Sequence, residues 1–175
     1  TKEAQAVLHL SQELMWKYKH TQWDPEHILL ALLEHEKGVP MLIFEELKTA
    51  VKSLRNRLVS AMESTIGMRY PSSQVYASPR LEALLERSKS ESKRLQDDFI
   101  STEHFLIGLC HEQQSLVVRL FSEFNIEIEK VYRALQKIRK FQKYDNQRKK
   151  YQNHICKNVI IIICSSHKII KYHIS

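Results

Sequence analysis

WDPEHILLALLEHE, residues 23–36, and ISTEHFLIGLCHEQ, residues 100–113, are two versions of one stretch. Laid over each other at an offset of 77 residues, Glu26 meets Glu103, His27 meets His104, Leu29 meets Leu106, Leu32 meets Leu109 and Glu36 meets Gln113. Each version opens on a residue suited to start a helix. Asp24 and Ser101 carry side-chain oxygens that can accept the orphan amide hydrogens of a first turn, and Pro25 stands where a missing N–H costs nothing. Apolar residues then fill nearly every position for two turns, so both helices are expected to be buried on most sides.

The match extends outward from these stretches. At the same offset Thr1 meets Ser78, Leu8 meets Leu85, Phe44 meets Phe121, Leu47 meets Phe124, Val51 meets Ile128 and Leu58 meets Leu135. Residues 1–63 and 78–140 therefore read as two copies of one helical unit. A repeat this long is a duplicated half-domain, not a short-repeat solenoid. Between the copies, Ser64–Ser78 (STIGMRYPSSQVYAS) has Gly, Pro and several Ser and no helical period, so it reads as the linker, with a short extended piece at Gln74–Ser78.

Within each copy the periodicity predicts four helices. Ala4, Val7, Leu8, Leu14 and Met15 make the stripe of a first helix over Lys2–Lys19. The second is the buried stretch, and VPMLIFEEL after Gly38 is a short third. Ala50, Val51, Leu54, Leu58 and Met62 line a fourth. In the second copy, Leu81, Leu84, Leu85 and Ser88 face inward, with Arg87, Lys89, Glu91 and Lys93 in solvent. Leu116–Phe124 is its short helix. Glu127 and Glu129 open the last one at its positive end, whose apolar face is Val131, Leu135 and Ile138.

A chain of 175 residues has enough material for one domain with a substantial core. Three glycines and four prolines favour helices over a turn-rich β fold. The net charge of +7 is uneven. Residues 1–138 hold 18 Lys+Arg against 19 Asp+Glu, and residues 139–175 hold 9 against 1, so the body is near neutral and the tail carries the positive charge. From Phe141 onward, Lys, Asn, Ile and Tyr supply 20 of 35 residues and helical patterning is lost. The stretch 141–175 reads as a poorly ordered basic extension or the trailing end of a truncated product. Three cysteines do not make a disulfide framework. Cys110 reads as a free core thiol, and a reducing compartment fits. No signal peptide is expected at Thr1, and the longest apolar run, Val159–Cys164, is too short to span a bilayer. The cytoplasm and an organelle such as a plastid both remain open as compartments.

Catalytic signatures are missing. There is no G-x-x-x-x-G-K-[ST] loop for nucleotide phosphates and no G-x-S-x-G elbow. His35-Glu36 and His111-Glu112 lack the second histidine one turn on that a zinc helix needs. Nine histidines without ligand spacing read as packing, capping or surface residues. What remains is an all-α binding module of two pseudo-equivalent halves, without metal or catalytic residues.

The doubled unit, with E-H-[ILF]-L near the start of a buried helix in each half, resembles the Clp N-terminal domain of ClpA, ClpB and ClpC type AAA+ unfoldases. QVYASPRLEALLERS and DDFISTEHFLIGL are more similar to the ClpB disaggregase branch. The resemblance implies an all-α fold of eight helices in two pseudo-symmetric four-helix repeats. It also implies a homo-hexameric parent whose ATP and magnesium belong to ATPase rings not present in this chain, the isolated domain being a monomer. It further implies capture of unfolded or aggregated polypeptides or of adaptor proteins, with no specific nucleic acid. On the residues that match, it assigns substrate contact to Thr1, Leu85, Asp97 and Glu103. At the next position, where the family often has Leu, this chain has His104, which makes the groove more polar and pH-sensitive. Two other readings stand beside it. One is docking of a folded adaptor for a ClpC or ClpA type protease regulator. The other is nonspecific contact of the basic tail with nucleic acid or an anionic membrane.

Overall fold

The computed structural model describes residues 1–36, 38–64, 76–113 and 115–143. The chain divides into two units, Thr1–Leu135 and Gln136–Ser175, and the contacts that follow lie within the first. The described residues form helices α1 (Lys2–Lys17), α2 (Pro25–Glu34), α3 (Val39–Glu46), α4 (Val51–Glu63), α5 (Pro79–Arg94), α6 (Thr102–Cys110) and α7 (Leu116–Glu123), and α8 over residues 128–143. The expected all-α fold of eight helices is thus borne out. Residues 65–75, most of the linker, lie outside the described residues, with Gln74 and Val75 of the expected extended piece; of the expected tail 141–175, residues 141–143 continue α8 and residues 144–175 lie outside the described residues. The remainder of the extended piece forms an isolated parallel bridge between Trp23 and Ala77. There the Trp23 amide donates to the Tyr76 carbonyl at 2.9 Å, and the Ser78 amide donates to the Trp23 carbonyl at 3.0 Å.

The duplication is visible in the way the helices start and stop. Thr1 Oγ1 accepts the Ala4 amide and Ser78 Oγ accepts the Leu81 amide, both at 3.2 Å. Helix α1 stops at Lys17, short of the predicted Lys19, because Lys19 adopts a left-handed backbone with φ 57°. Its counterpart after α5, Gln96, has φ 59°, and the pair after α3 and α7, Lys48 and Asn125, have φ 55° and 57°. An L-residue enters this region only where something holds it there. Here the next amide reaches back and caps the helix. His20 donates to the Met15 carbonyl, Thr49 to Phe44, Asp97 to Ser92 and Ile126 to Phe121, at 2.8–3.0 Å. These are Schellman closures, and they occur in two pairs spaced by the repeat offset.

Helices α2 and α6 sit at the centre. Ile28 to Leu33 and Phe105 to Leu109, Gly108 apart, are a continuous run of buried apolar side chains, as the two quoted stretches predict. Helix α1 covers α2, α5 covers α6, and α3 and α7 each pack across onto the opposite half's central helix. Gly108 sets the α5–α6 approach, since a Cβ there would lie 2.8 Å from Ser88 Oγ and 3.2 Å from the Leu84 carbonyl. Leu32 and Leu109 are both buried, as expected, and so are Leu81, Leu84 and Ser88.

Two expectations for α5 need revision. Leu85 is only half-buried. Glu91, expected in solvent, is buried because Arg94 and Tyr132 give its carboxylate partners, Arg94 Nε at 2.8 Å and Tyr132 Oη at 2.9 Å. Burial alone would raise the Glu91 pKa, but those hydrogen bonds outweigh it and hold the carboxyl below its ordinary value. The Arg94 guanidinium also lies 4.6 Å above the Tyr132 ring, which ties α5 to α8. Cys110 is free, as expected, but half-buried at the end of α6 and not a core thiol; desolvation there still pushes its pKa up to about 12.

Candidate functional site

Four of the residues singled out for the site, Thr1, Asp97, Glu103 and His104, gather at the start of α6, and Leu85 does not. The Ser101 amide, an orphan donor of the helix start, gives its hydrogen to His104 Nδ1 at 2.9 Å. A backbone N–H can only donate, so Nδ1 is the bare nitrogen of a neutral ring and the proton sits on Nε2. That Nε2–H donates to Asp97 Oδ2 at 3.0 Å. His104 is wholly buried and Glu103 is 7% exposed, while Asp97 is half-buried and presents the accessible edge. Thr1 is exposed, and its amino group donates to the Ile100 carbonyl at 2.7 Å, which brings the start of α1 beside the start of α6. Thr1, Asp97, Glu103 and His104 thus share one neighbourhood. Leu85 lies half-exposed on α5.

Asp97, Glu103 and His104 each place a ligand-type atom within 4.8 Å of the others. The tautomer argues against a metal. Coordination through Nε2 needs a lone pair, and the Ser101 amide fixes that lone pair on Nδ1. A cation would have to displace the Nε2 proton and break the helix cap. The arrangement instead aims an immobile N–H at Asp97 and orients its carboxylate.

The first half carries the same device with one substitution. The Asp24 amide donates to His27 Nδ1 at 3.0 Å, as Ser101 does to His104. Where the second half has Asp97, the first has His20, whose Nδ1 lies 2.8 Å from His27 Nε2 and whose Nε2 lies 3.0 Å from the Met62 carbonyl. Burial, and then the charge of His20, lower the His27 pKa to about 4. Beside this pair, Arg80 reaches from α5 to Glu26 Oε1 at 2.9 Å and Glu112 Oε2 at 2.6 Å, with Asp24 Oδ1 at 3.9 Å. The second Glu26 oxygen, Oε2, is buried without a hydrogen-bond partner. His20, His27, Glu26, Arg80 and Arg119 line a cleft of about 370 Å³. Ala61, Ser64, Leu116 and Arg119 are shared with a neighbouring cleft of about 440 Å³ that runs between α4 and α7 to the Arg57–Glu123 ion pair.

Sequence patterning gives no role to Arg80 and touches Glu112 only in a rejected zinc motif, but for His20 a signal exists. At the repeat offset His20 aligns with Asp97 and Lys19 with Gln96, so any role for Asp97 pointed to His20. Phe99, two residues after Asp97, is 70% exposed.

The chain belongs to the Clp repeat (R) N-terminal domain family, which matches residues 1–124. The chaperone protein ClpB of Clostridium tetani is 29% identical over 150 residues, covering 84% of this chain but 17% of that protein. The chain therefore spans less than a fifth of the length of the curated relatives it matches. Among solved structures, the Hsp104 N-terminal domain from Candida albicans is similar at TM-score 0.67 and 14% identity, covering 77% of this chain and 87% of that one. A ClpV N-domain in complex with a VipB peptide is similar at TM-score 0.55 and 20% identity, covering 70% of this chain and 78% of that one. The resemblance read from the sequence is borne out, and this is an N-terminal domain of the Clp type. No described helix is long and apolar enough to cross a membrane.

Proposed function

We propose that this domain captures unfolded or aggregated polypeptide segments for a hexameric Clp-type AAA+ ring, in the manner of a disaggregase. The observation that carries this reading is the convergence of Thr1, Asp97 and Glu103 at the adjoining starts of α1 and α6, with exposed Phe99 beside them. Asp97 offers the accessible acceptor edge. His104 is a positioning residue that fixes the Asp97 carboxylate, and the buried Glu103 adds negative potential. Leu85, Phe99 and Thr1 supply apolar and hydroxyl contact. A small edge of this kind binds weakly, and six copies on one ring would raise the avidity.

The test is fluorescence anisotropy with a labelled, permanently unfolded protein such as a reduced and carboxymethylated α-lactalbumin. Saturable binding is expected at micromolar domain concentrations, weakened several-fold by Asp97→Asn at unchanged melting temperature. A folded domain that shows no saturation at high micromolar concentration would overturn the reading.

A second reading, docking of a folded adaptor, draws on the clefts between α4 and α7 and on the similarity to a ClpV N-domain that binds a peptide. It predicts loss of binding on Arg119→Glu rather than on Asp97→Asn. The basic tail's contact with anionic polymers is tested separately, by DNA binding before and after deletion of residues 144–175.

A further inference from the structure

The His20–His27 chain has a direction fixed at both ends. It begins at a group that can only donate, the Asp24 amide, and ends at one that can only accept, the Met62 carbonyl. Two neutral rings satisfy every link. His27 accepts at Nδ1 and donates from Nε2, and His20 accepts at Nδ1 and donates from Nε2. One added proton cannot be accommodated in this order. If His27 Nδ1 stayed bare, both nitrogens across the 2.8 Å contact would carry hydrogens. The bare nitrogen must therefore be one of those two, so His27 Nδ1 becomes protonated. Its nearest acceptor is the Asp24 carbonyl at 3.2 Å, and the Asp24 amide loses its partner.

We propose that the His20–His27 pair is an acid-operated latch on the start of α2, in which one proton taken up by the pair switches the His27 tautomer and opens the helix cap. Each ring lines the cleft beside Arg80, so protons can reach the pair from solvent. The charged and titratable groups around it are Tyr18 and Asp24 from the α1–α2 loop, Glu26 from α2, Arg80 from α5 and Arg119 from α7. Helix α4 presents the Met62 carbonyl. Burial, and the charge of a protonated His20, oppose a doubly protonated His27 ring, so in the singly protonated pair His20 carries both its hydrogens and His27 holds its one on Nδ1, with Nε2 accepting from His20 Nδ1. The latch belongs to the first half alone. In the second half Asp97 takes the place of His20, and two ring N–H groups cannot face each other. Because the pair also holds Met62, at the end of α4 and on the cleft wall, the switch acts where the two halves meet.

Imidazole ¹⁵N chemical shifts of the full chain, followed by NMR from pH 7 to pH 4, test this. The expected result is that the His27 proton moves from Nε2 to Nδ1 before the ring becomes doubly protonated. The Asp24 amide should gain exchange relative to Ser101 over the same range. In His20→Asp, which installs the pairing of the second half, the move should disappear. His20→Asn offers a non-titrating acceptor at the same place and should behave alike, in case the buried aspartate impairs folding. The proposal is overturned if wild-type His27 keeps its proton on Nε2 until it is fully protonated, or if Asp24 exchange follows Ser101 throughout.

Discussion

Single residues set the acid sensitivity of this domain. The His27 pKa falls from an ordinary 6.5 in the unfolded chain to about 4 in the fold. Above pH 6.5 both states leave the ring neutral, and its contribution to stability is fully present. As pH falls toward 4 the unfolded chain binds a proton that the folded one refuses, and that contribution is lost. A difference of this size is worth about 3 kcal/mol. Urea midpoints should therefore drop steadily between pH 6.5 and 4, and His27→Gln should flatten that part of the profile. An unchanged slope in the variant would place the acid sensitivity elsewhere. At this scale the sequence was partly legible. Duplication of the E-H pair marked His27 and His104 as a matched set. The partner that distinguishes them, His20 or Asp97, sits in a loop where periodicity is silent and only the repeat offset speaks. Glu91 departs from its expected exposure for a related reason, because helical spacing places a residue on a face but does not show that Tyr132 will arrive from another helix to accompany it.

Helices were the most legible level, since each carries a long apolar run or stripe and a capping residue. Exact ends were less so. The stop at Lys17 depends on a left-handed Lys19, and no glycine marks that position. The central helices carry the packing energy. Leu32→Ala and Leu109→Ala each leave a cavity in a wholly buried layer and should cost roughly 2–5 kcal/mol. Against a total of about 5–15 kcal/mol, calorimetry should show a plain fall in melting temperature for both. The contact between halves at Arg80 behaves differently. Glu112 and Glu26 are mostly buried there, so Arg80→Met leaves two carboxylates uncompensated, at a cost of roughly 2–4 kcal/mol. Adding Glu112→Gln should recover part of that loss. If the double variant is no more stable than Arg80→Met alone, Glu112 is not a partner that matters.

For the molecule as a whole, the two halves share architecture but not chemistry. The α2 start has its acidic group, Glu26, engaged by the molecule's own Arg80. At the repeat offset the counterpart of Arg80 is Glu3, so the second half has no arginine at the matching position. The proposed capture site at α6 is one member of a duplicated pair, and its function has to be separated from its part in the fold. Glu103 lies in the first turn of α6, where a negative charge is worth only about 0.3–1 kcal/mol to the helix. Glu103→Gln should therefore leave the melting temperature nearly unchanged while weakening capture of an unfolded polypeptide several-fold. Leu109→Ala should do the reverse, lowering stability strongly and capture only in proportion to the unfolded fraction, so that at low temperature its binding returns to the wild-type curve. The ratio of the two effects is the informative quantity. If Glu103→Gln binds as the wild type does and Leu109→Ala still tracks the folded fraction, Glu103 acts only on the helix start, and the capture surface must be sought in the clefts between α4 and α7.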